Sequence, residues 1–425
     1  MLEVQMIRSD KDRITQRLKK RNLPPEELAL IDEVLATDDE RKRLQTELDQ
    51  KLAERNTLSR QIGDLFKTGE REEAERLRER VNQLKEQVAG WEDQLRSVRE
   101  KREALLLQIP NVPHESVPAG SAEEDNEVYR DWPDLLPELS EQALPHWELG
   151  EKYGILDMNL GTRLTGSGFP VFRGQGARLE RALISFFLDE AHKAGYEEII
   201  PPLLVNEDTA RATGQLPDKE GQMYHAERDN FYLIPTAEVP LTNIYRDAIL
   251  DASDFPVKMA GYTPCFRREA GSYGAEVRGL NRVHQFDKVE IVQIVHPDHS
   301  YEALEGMLAH VSSLLEQLEL PYRILRLCGG DLGFTAALTF DFEVYSAAQK
   351  RWLEVSSVSN FETYQSNRMK LRFRDGKSTR LAHTLNGSAL ALARVVAALL
   401  ENNQTPNGIV IPKALQHLTN FDLIS

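Results

Sequence analysis

The chain has 425 residues, of which 41% are hydrophobic and 28% charged, with a formal net charge of -16. That length supports two or three domains with a sizeable core, and the composition fits a soluble globular protein with a charge-rich segment. The only cysteines, Cys265 and Cys328, exclude a disulfide framework and a Cys-rich zinc site. The N-terminus, "MLEVQMIRSDKDRITQRLKKR", lacks the apolar region of a signal peptide, and no apolar run approaches the roughly 20 residues that cross a bilayer. A cytoplasmic protein is expected.

Charge is unevenly divided. Residues 40–102 hold 16 Lys+Arg and 14 Asp+Glu, or +2, which leaves -18 for the remainder of a chain at -16. An anionic polymer would be repelled by the body and tolerated by this segment. Its second half is periodic: Leu77, Val81, Leu84, Val88, Trp91, Leu95 and Val98 step by alternating fours and threes, a coiled-coil seam. Leu44, Leu48, Leu58, Ile62 and Leu65 keep that register upstream, with lapses at Lys51 and Arg55. Gly69 in "FKTGEREE" ends one helix, and the acidic residues after it suit the start of another. The spacing predicts an antiparallel hairpin with arms of about 35 residues, each ~50 Å long. Periodicity alone also admits a dimerisation coiled coil.

Residues 109–150 carry six prolines and little periodicity, which reads as a linker. "GARLERALISFFLDEAHKAG" (176–195) predicts an amphipathic helix ending at Gly195, and "YEEIIPPLLV" a strand whose Pro201 and Pro202 favour an edge or an interface. Strand-like runs recur at "NFYLIP", "VKMAGYTPCF", "KVEIVQIV", "FTAALTFDFEVY" and "RWLEVSSVSNF" with few helices between them, predicting a mostly antiparallel sheet. "NGSALALARVVAALLENNQ" (386–404) reads as a small-residue turn feeding an apolar helix.

Neither GxxxxGK[ST] nor a helix-opening GxGxxG occurs, so a bound nucleotide would have to be held by side chains. "CFRREAGSYGAEVRGLNRVHQF" places Arg267, Arg268, Arg278 and Arg282 in a strand–loop–strand pattern that returns on Phe286. Arginine forks grip phosphate oxygens and an aromatic face stacks on a base; a charged hairpin in solvent is the other reading. In "LEVSS", Glu354 and Ser357 are spaced to offer oxygens to a divalent ion. Arg394 lies one to two turns into the last helix, where a phosphate contact and a buried ion pair are both open.

Together these segments resemble the three ordered motifs of class II aminoacyl-tRNA synthetases, and within them the seryl-tRNA synthetase family of bacterial type. The wording "FRREAGSYGAEVRGLNRVHQFDKVE", the run "IPTAEVPLTN" (234–243), the third motif "LNGSALALAR" and the segment "IPNVPHESVPAGSAEEDN" carry the likeness across nearly the whole chain. The third motif departs from the family in Ala389 and Ala393, where glycines are usual. The fold implied is α+β: an N-terminal antiparallel helical hairpin, then a class II catalytic domain built on an antiparallel sheet flanked by helices. The implied domains are 1–108 for tRNA binding, 109–150 as linker and entry, and 151–425 for catalysis.

The resemblance also implies roles. ATP would be held by Arg267 on the α-phosphate and Glu269 on the adenine amino group, with Arg268 beside them in the same motif. Phe286 would stack on adenine, and Val283, His284 and Gln285 would line its pocket. Arg282 and Arg394 would meet the outer phosphates, and the strand Glu354, Val355, Ser356 and Ser357 would carry magnesium through Glu354 and Ser357. Serine would be bound by Thr236, Ala237, Glu238 and Glu290 at its ammonium, by Arg267 at its carboxylate, and by Asn386 and Ser388 near its hydroxyl. The implied reaction is attack of the serine carboxylate on the α-phosphate, loss of pyrophosphate, and transfer to the 3' end of serine tRNA, with Arg267 and Arg394 catalytic. Magnesium with ATP is the implied cofactor and zinc is not expected. Partners implied are serine tRNA, selenocysteine tRNA and a second copy of the chain, with no membrane. A ligase that loads a carrier protein and a non-catalytic homologue are the rival readings; the long hairpin opposes the first, and the retained charged positions oppose the second.

Overall fold

The computed structural model describes residues 1–218, 221–269 and 278–425. The "GSYG" run of the sequence lies outside them. Two compact units form: one from Met1–Lys19 with Leu23–Pro110, the other from Lys20–Asn22 with Asn111–Ser425.

In the first unit two short helices, α1 (Val4–Ser9) and α2 (Lys11–Leu18), precede the long α3 (Pro25–Thr68) and α4 (Arg71–Gln108). At 44 and 38 residues these long helices run about 66 and 57 Å. They are joined as expected: Gly69, at φ 86°, takes the left-handed conformation and its N–H closes on the Leu65 carbonyl. Leu44, Leu48, Val88 and Leu95 form the buried seam, with Leu52, Trp91 and Val98 packed against it. The seam therefore passes through Leu52 where the heptad reading lapsed at Lys51. Helix α3 also starts earlier than the periodic segment, because Pro25 suits a first helical position and Ile31 and Val34 are buried. Asp38 is buried in this unit and accepts from Arg41 at 2.9 Å and Arg102 at 2.7 Å on one oxygen, and from Arg8 at 3.1 Å on the other.

The second unit is built on an eight-stranded sheet. Its strands, in chain order, are β1 (Glu127–Arg130), β2 (Glu197–Glu198), β3 (Val257–Phe266), β4 (Gln285–Val295), β5 (Tyr322–Arg326), β6 (Leu338–Ser346), β7 (Arg351–Glu362) and β8 (His383–Ala391). The spatial order is β1-β5-β6-β7-β8-β4-β3-β2, antiparallel at every pairing except β2 with β3. The antiparallel expectation holds. Alternation explains the two faces: Val289 and Ile291 join the core, while Phe286, Lys288 and Glu290 share the opposite face of β4. Helices α5 (His146–Lys152), α6 (Gln175–Lys193), α7 (Glu238–Asn243), α8 (Ser300–Gln317) and α9 (Leu392–Asn402) accompany the sheet. Leu179, Leu183, Phe186 and Phe187 of α6, Leu304, Met307 and Val311 of α8, and Val395, Val396 and Leu399 of α9 share one core with it.

Three expectations are corrected. "YEEIIPPLLV" is not one strand: β2 ends at Glu198 and a separate two-residue strand, Leu204–Val205, follows, since the prolines between cannot donate to a ladder. Residues 386–391 are not a turn but the end of β8, fixed by pairing with β4 on one side and, through Asn386 and Gly387, with β7 on the other. Arg394 accordingly sits in the first turn of α9, not one to two turns in. The proline-rich residues after Pro110 pack into the second unit, where Val112 and Val117 are buried and β1 pairs with β5. Arg21 is buried there too, donating to the carbonyls of Asn111, Leu332 and Ala336.

Candidate active site

Strands β4, β8, β7 and β6 floor a cleft of about 540 Å³, which Arg267 enters from just past the end of β3. Thr236, Glu238, Arg267, Glu269, Arg282, Val283, Phe286, Glu290, Glu354, Val355, Ser356, Ser357, Asn386, Ser388 and Arg394 all line it. Residues drawn from six separate stretches of sequence thus meet in one place. Strand register does much of this: Glu290 stands opposite Ser388, Val292 opposite Asn386, and Ser359 opposite Asn386 on the other side.

At one end the cleft is carboxylate-rich and buried. Glu290 accepts from Thr236 Oγ1 at 3.1 Å on Oε2 and from Asn386 Nδ2 at 3.0 Å on Oε1, and Lys288 Nζ is ion-paired with Oε2 at 2.8 Å. Glu238, at the first turn of α7, accepts from Gln365 Nε2 at 2.6 Å, and its own N–H donates to Thr236 Oγ1 at 3.2 Å. Burial, then the neighbouring Glu290 charge, pushes the Glu238 carboxyl up to about 7. A cation entering here would be met by one paired carboxylate and one poised to ionise.

At the other end are arginines and an aromatic. The Arg267 guanidinium lies 5.5 Å from the Phe286 ring centroid, and Arg267 makes no ion pair among the described residues. Arg282 and Glu269 are ion-paired with each other. Arg394 donates to the carbonyls of Asn281 and Glu354, each at 2.8 Å, and its guanidinium is 3.6 Å from the Glu354 carboxylate. Ser356 Oγ donates to the Ser388 carbonyl at 2.6 Å and links β7 to β8.

Four predicted residues do not line this cleft. Arg268 is exposed over the Tyr224 ring at 5.6 Å, and Gln285 is exposed at the start of β4. Ala237 is fully buried as the N-cap of α7. His284 stacks on Phe169 at 5.3 Å and lines an adjoining cleft of about 800 Å³, together with Trp147, Arg173 and Arg278.

Among the described residues no group of three or more His, Cys, Asp or Glu is arranged to hold a metal ion. A divalent ion held partly by phosphate oxygens fits the cleft nonetheless. Asp341 stands opposite Ser357 on β6, and its Oδ1 is buried with no hydrogen-bond partner. Burial and then the Glu354 carboxylate push Asp341 well above the usual range, a conflict that a cation relieves.

Sequence reasoning missed Lys288, Gln365, Asn281 and Asp341. Lys288 was legible from its alternation with Phe286 and Glu290 on one strand face. Gln365 lies on the helix Tyr364–Met369, more than a hundred residues from Glu238, and no local signal pointed to it.

Family models match the chain twice: a "tRNA synthetase class II core domain (G, H, P, S and T)" over residues 222–403 and a "Seryl-tRNA synthetase N-terminal domain" over residues 1–113. A serine–tRNA ligase of Salinibacter ruber is 49% identical over 99% of this chain and 98% of its own length. One from Prosthecochloris aestuarii is 44% identical over 100% and 99%. Among solved structures, a seryl-tRNA synthetase from Pyrococcus horikoshii complexed with ATP superposes with a TM-score of 0.92 at 33% identity, over 100% of this chain and 99% of that one. No helix among the described residues is long and apolar enough to cross a membrane.

Proposed function

Because the chain belongs to the seryl-tRNA synthetase family and is a serine–tRNA ligase, we propose that its cleft condenses L-serine with ATP to seryl-adenylate and passes the seryl group to the 3' end of serine tRNA. The observation that carries this reading is the order of groups along one strand face. Glu290 and Phe286 are four residues apart on β4, or roughly 13 Å, and Arg267 stands at the Phe286 end. A serine ammonium goes to Glu238 and Glu290, with Thr236 oriented between them. The serine hydroxyl goes to Asn386 and Ser388, whose unmade hydrogen bonds would penalise alanine.

Arg267 brings the serine carboxylate and the α-phosphate together, and its charge stabilises the in-line transition state as pyrophosphate departs. Phe286 takes the adenine ring against Val283, with Glu269 at the amino group and the 283–285 backbone at its edge. Glu269 must leave Arg282 for this, which frees Arg282 for the outer phosphates beside Arg394. Glu354 and Ser357, with Asp341 next to them, would hold a magnesium ion that neutralises charge on those phosphates. His284, Arg268, Ala237, Gln285, Val355 and Ser356 support these groups from behind or from the rim.

The first unit is assigned to tRNA binding, the residues after Pro110 to the entry of the catalytic domain, and residues 151–425 to catalysis. Selenocysteine tRNA is included as a substrate, since the amino acid loaded is the same serine. Homodimerisation through the segment after β2 is supported by Ile200, which is 87% exposed, and Leu204, which is 48% exposed. A protein that charges tRNA belongs in the cytoplasm.

Serine-dependent ATP–pyrophosphate exchange by Arg267→Ala tests the reading. The variant is expected to lose about 3 kcal/mol or more of transition-state stabilisation, on the order of a hundredfold in rate. Near-normal exchange by a folded Arg267→Ala protein would remove Arg267 from the reaction.

A further inference from the structure

Behind the arginine end of the cleft lies a buried hydrogen-bonded cluster that none of the roles above uses. His146, the first residue of α5, and Glu401, near the end of α9, are both completely buried, with His146 Nδ1 2.7 Å from Glu401 Oε1. The same oxygen accepts from the His146 backbone N–H and from Gln349 Nε2, each at 2.9 Å, and Ser346 Oγ donates to the other. Two arms lead from Glu401 to one loop. Leu280 N–H donates to His146 Nε2 at 2.8 Å, and Asn281 Nδ2 donates to Gln349 Oε1 at 2.9 Å. The Asn281 carbonyl in turn receives Arg394 Nε at 2.8 Å, and the next residue, Arg282, lines the cleft.

The hydrogen bonds set the protonation. A backbone N–H can only donate, so Nε2 is the acceptor and the ring proton is on Nδ1, facing the carboxylate. The loop is shaped to meet the ring: Gly279 has φ 68°, and a Cβ there would lie 2.3 Å from His146 Nε2. Arg278, just before it, stacks on Trp147 at 4.9 Å.

We infer that His146 and Gln349, anchored on Glu401, are positioning residues for ATP: they fix the 280–282 loop and, through the Asn281 carbonyl, the angle at which Arg394 faces the phosphates. The serine pocket has its own supports in Thr236, Gln365 and Lys288, so the device acts on one substrate. This rests on the assignment of Arg282 and Arg394 to the phosphates.

Two side chains at position 146 separate positioning from packing. Asparagine reaches Glu401 from where Nδ1 stood but cannot reach Leu280, whereas glutamine extends to Leu280 N–H. His146→Asn and Gln349→Ala are therefore expected to raise the KM for ATP about tenfold while the serine KM stays within about twofold, with His146→Gln partly restored. Amide exchange at residues 279–282 should quicken in the same two variants. That readout needs no activity, so failure of the functional reading and failure of this inference are told apart. Unchanged amide protection, an equal shift of both KM values, or a Gln variant no better than Asn in folded protein would overturn it.

Discussion

On the proposed assignment of Glu238 to the serine ammonium, one buried carboxyl ties substrate binding to pH. Burial and the Glu290 charge hold it near 7 in the substrate-free protein, so below that pH it is largely protonated. A serine ammonium beside it favours the carboxylate, and binding must then expel a proton. The serine KM is accordingly expected to fall as pH rises from about 5.5 to 7.5, with a slope approaching tenfold per unit at the acid end, and to level off above. The ATP KM should not follow it. Glu238→Gln should raise the serine KM and flatten this dependence; a slope that survives the substitution would place the titrating group elsewhere. The same linkage has an opposite sign for folding. Because the folded-state value is raised, the group contributes less stability as pH climbs from its unfolded value through about 7.

Among the elements, the helix pair was the most legible in sequence and β8 the least. Leu77 to Val98 repeat with a period only a helix seam satisfies, and the turn glycine was visible between the arms. The start of α3 was not, because residues 25–39 bury Ile31 and Val34 against neighbouring helices instead of extending the heptad. In β8, "NGSALA" has little strand propensity, and pairing on both sides overrides it. The arginines, Phe286, Glu290 and Glu354 of the cleft could be named from the sequence, since each sits in a distinctive local run. Their partners could not: Gln365 and Asn281 reach them across turns that no local pattern encodes, and in the helical unit Arg8 and Arg102 reach Asp38 likewise, whereas Arg41 is its i+3 neighbour on one helix. Asp38 tests this point. Burial pushes its carboxyl up, yet Arg41, Arg102 and Arg8 hold it well below the usual range, so its stabilisation is present above the ordinary carboxylate range and is lost as pH falls through the depressed value. Asp38→Asn should cost roughly 2 kcal/mol, less than a fully buried pair because its arginines are partly exposed. Amide exchange in α3 and α4 near Asp38 and Arg102 should quicken accordingly, and unchanged protection there would reduce the cluster to surface charge.

On the scale of the whole molecule, charge divides the labour. Residues 40–102 are +2 and the remainder -18, so on the proposed division of roles the hairpin would tolerate a tRNA backbone that most of the body repels. Arg55, Arg60 and Lys85 carry exposed or half-exposed charge along it, and phosphate contacts of that kind fix position and weaken with salt. Replacing residues 40–100 by a short Gly/Ser turn should leave serine-dependent ATP–pyrophosphate exchange nearly intact and remove most tRNA charging. Charging at full efficiency would show that the arm is not the tRNA-binding element, and loss of exchange in a folded protein would make the arm part of the catalytic machinery. Both outcomes depend on the cleft being a serine site. The most direct measurement of that claim is ATP–pyrophosphate exchange by the unaltered protein with each of the twenty amino acids in turn. Serine should support exchange far above the others, with alanine and threonine near background; a preferred substrate other than serine would contradict the account.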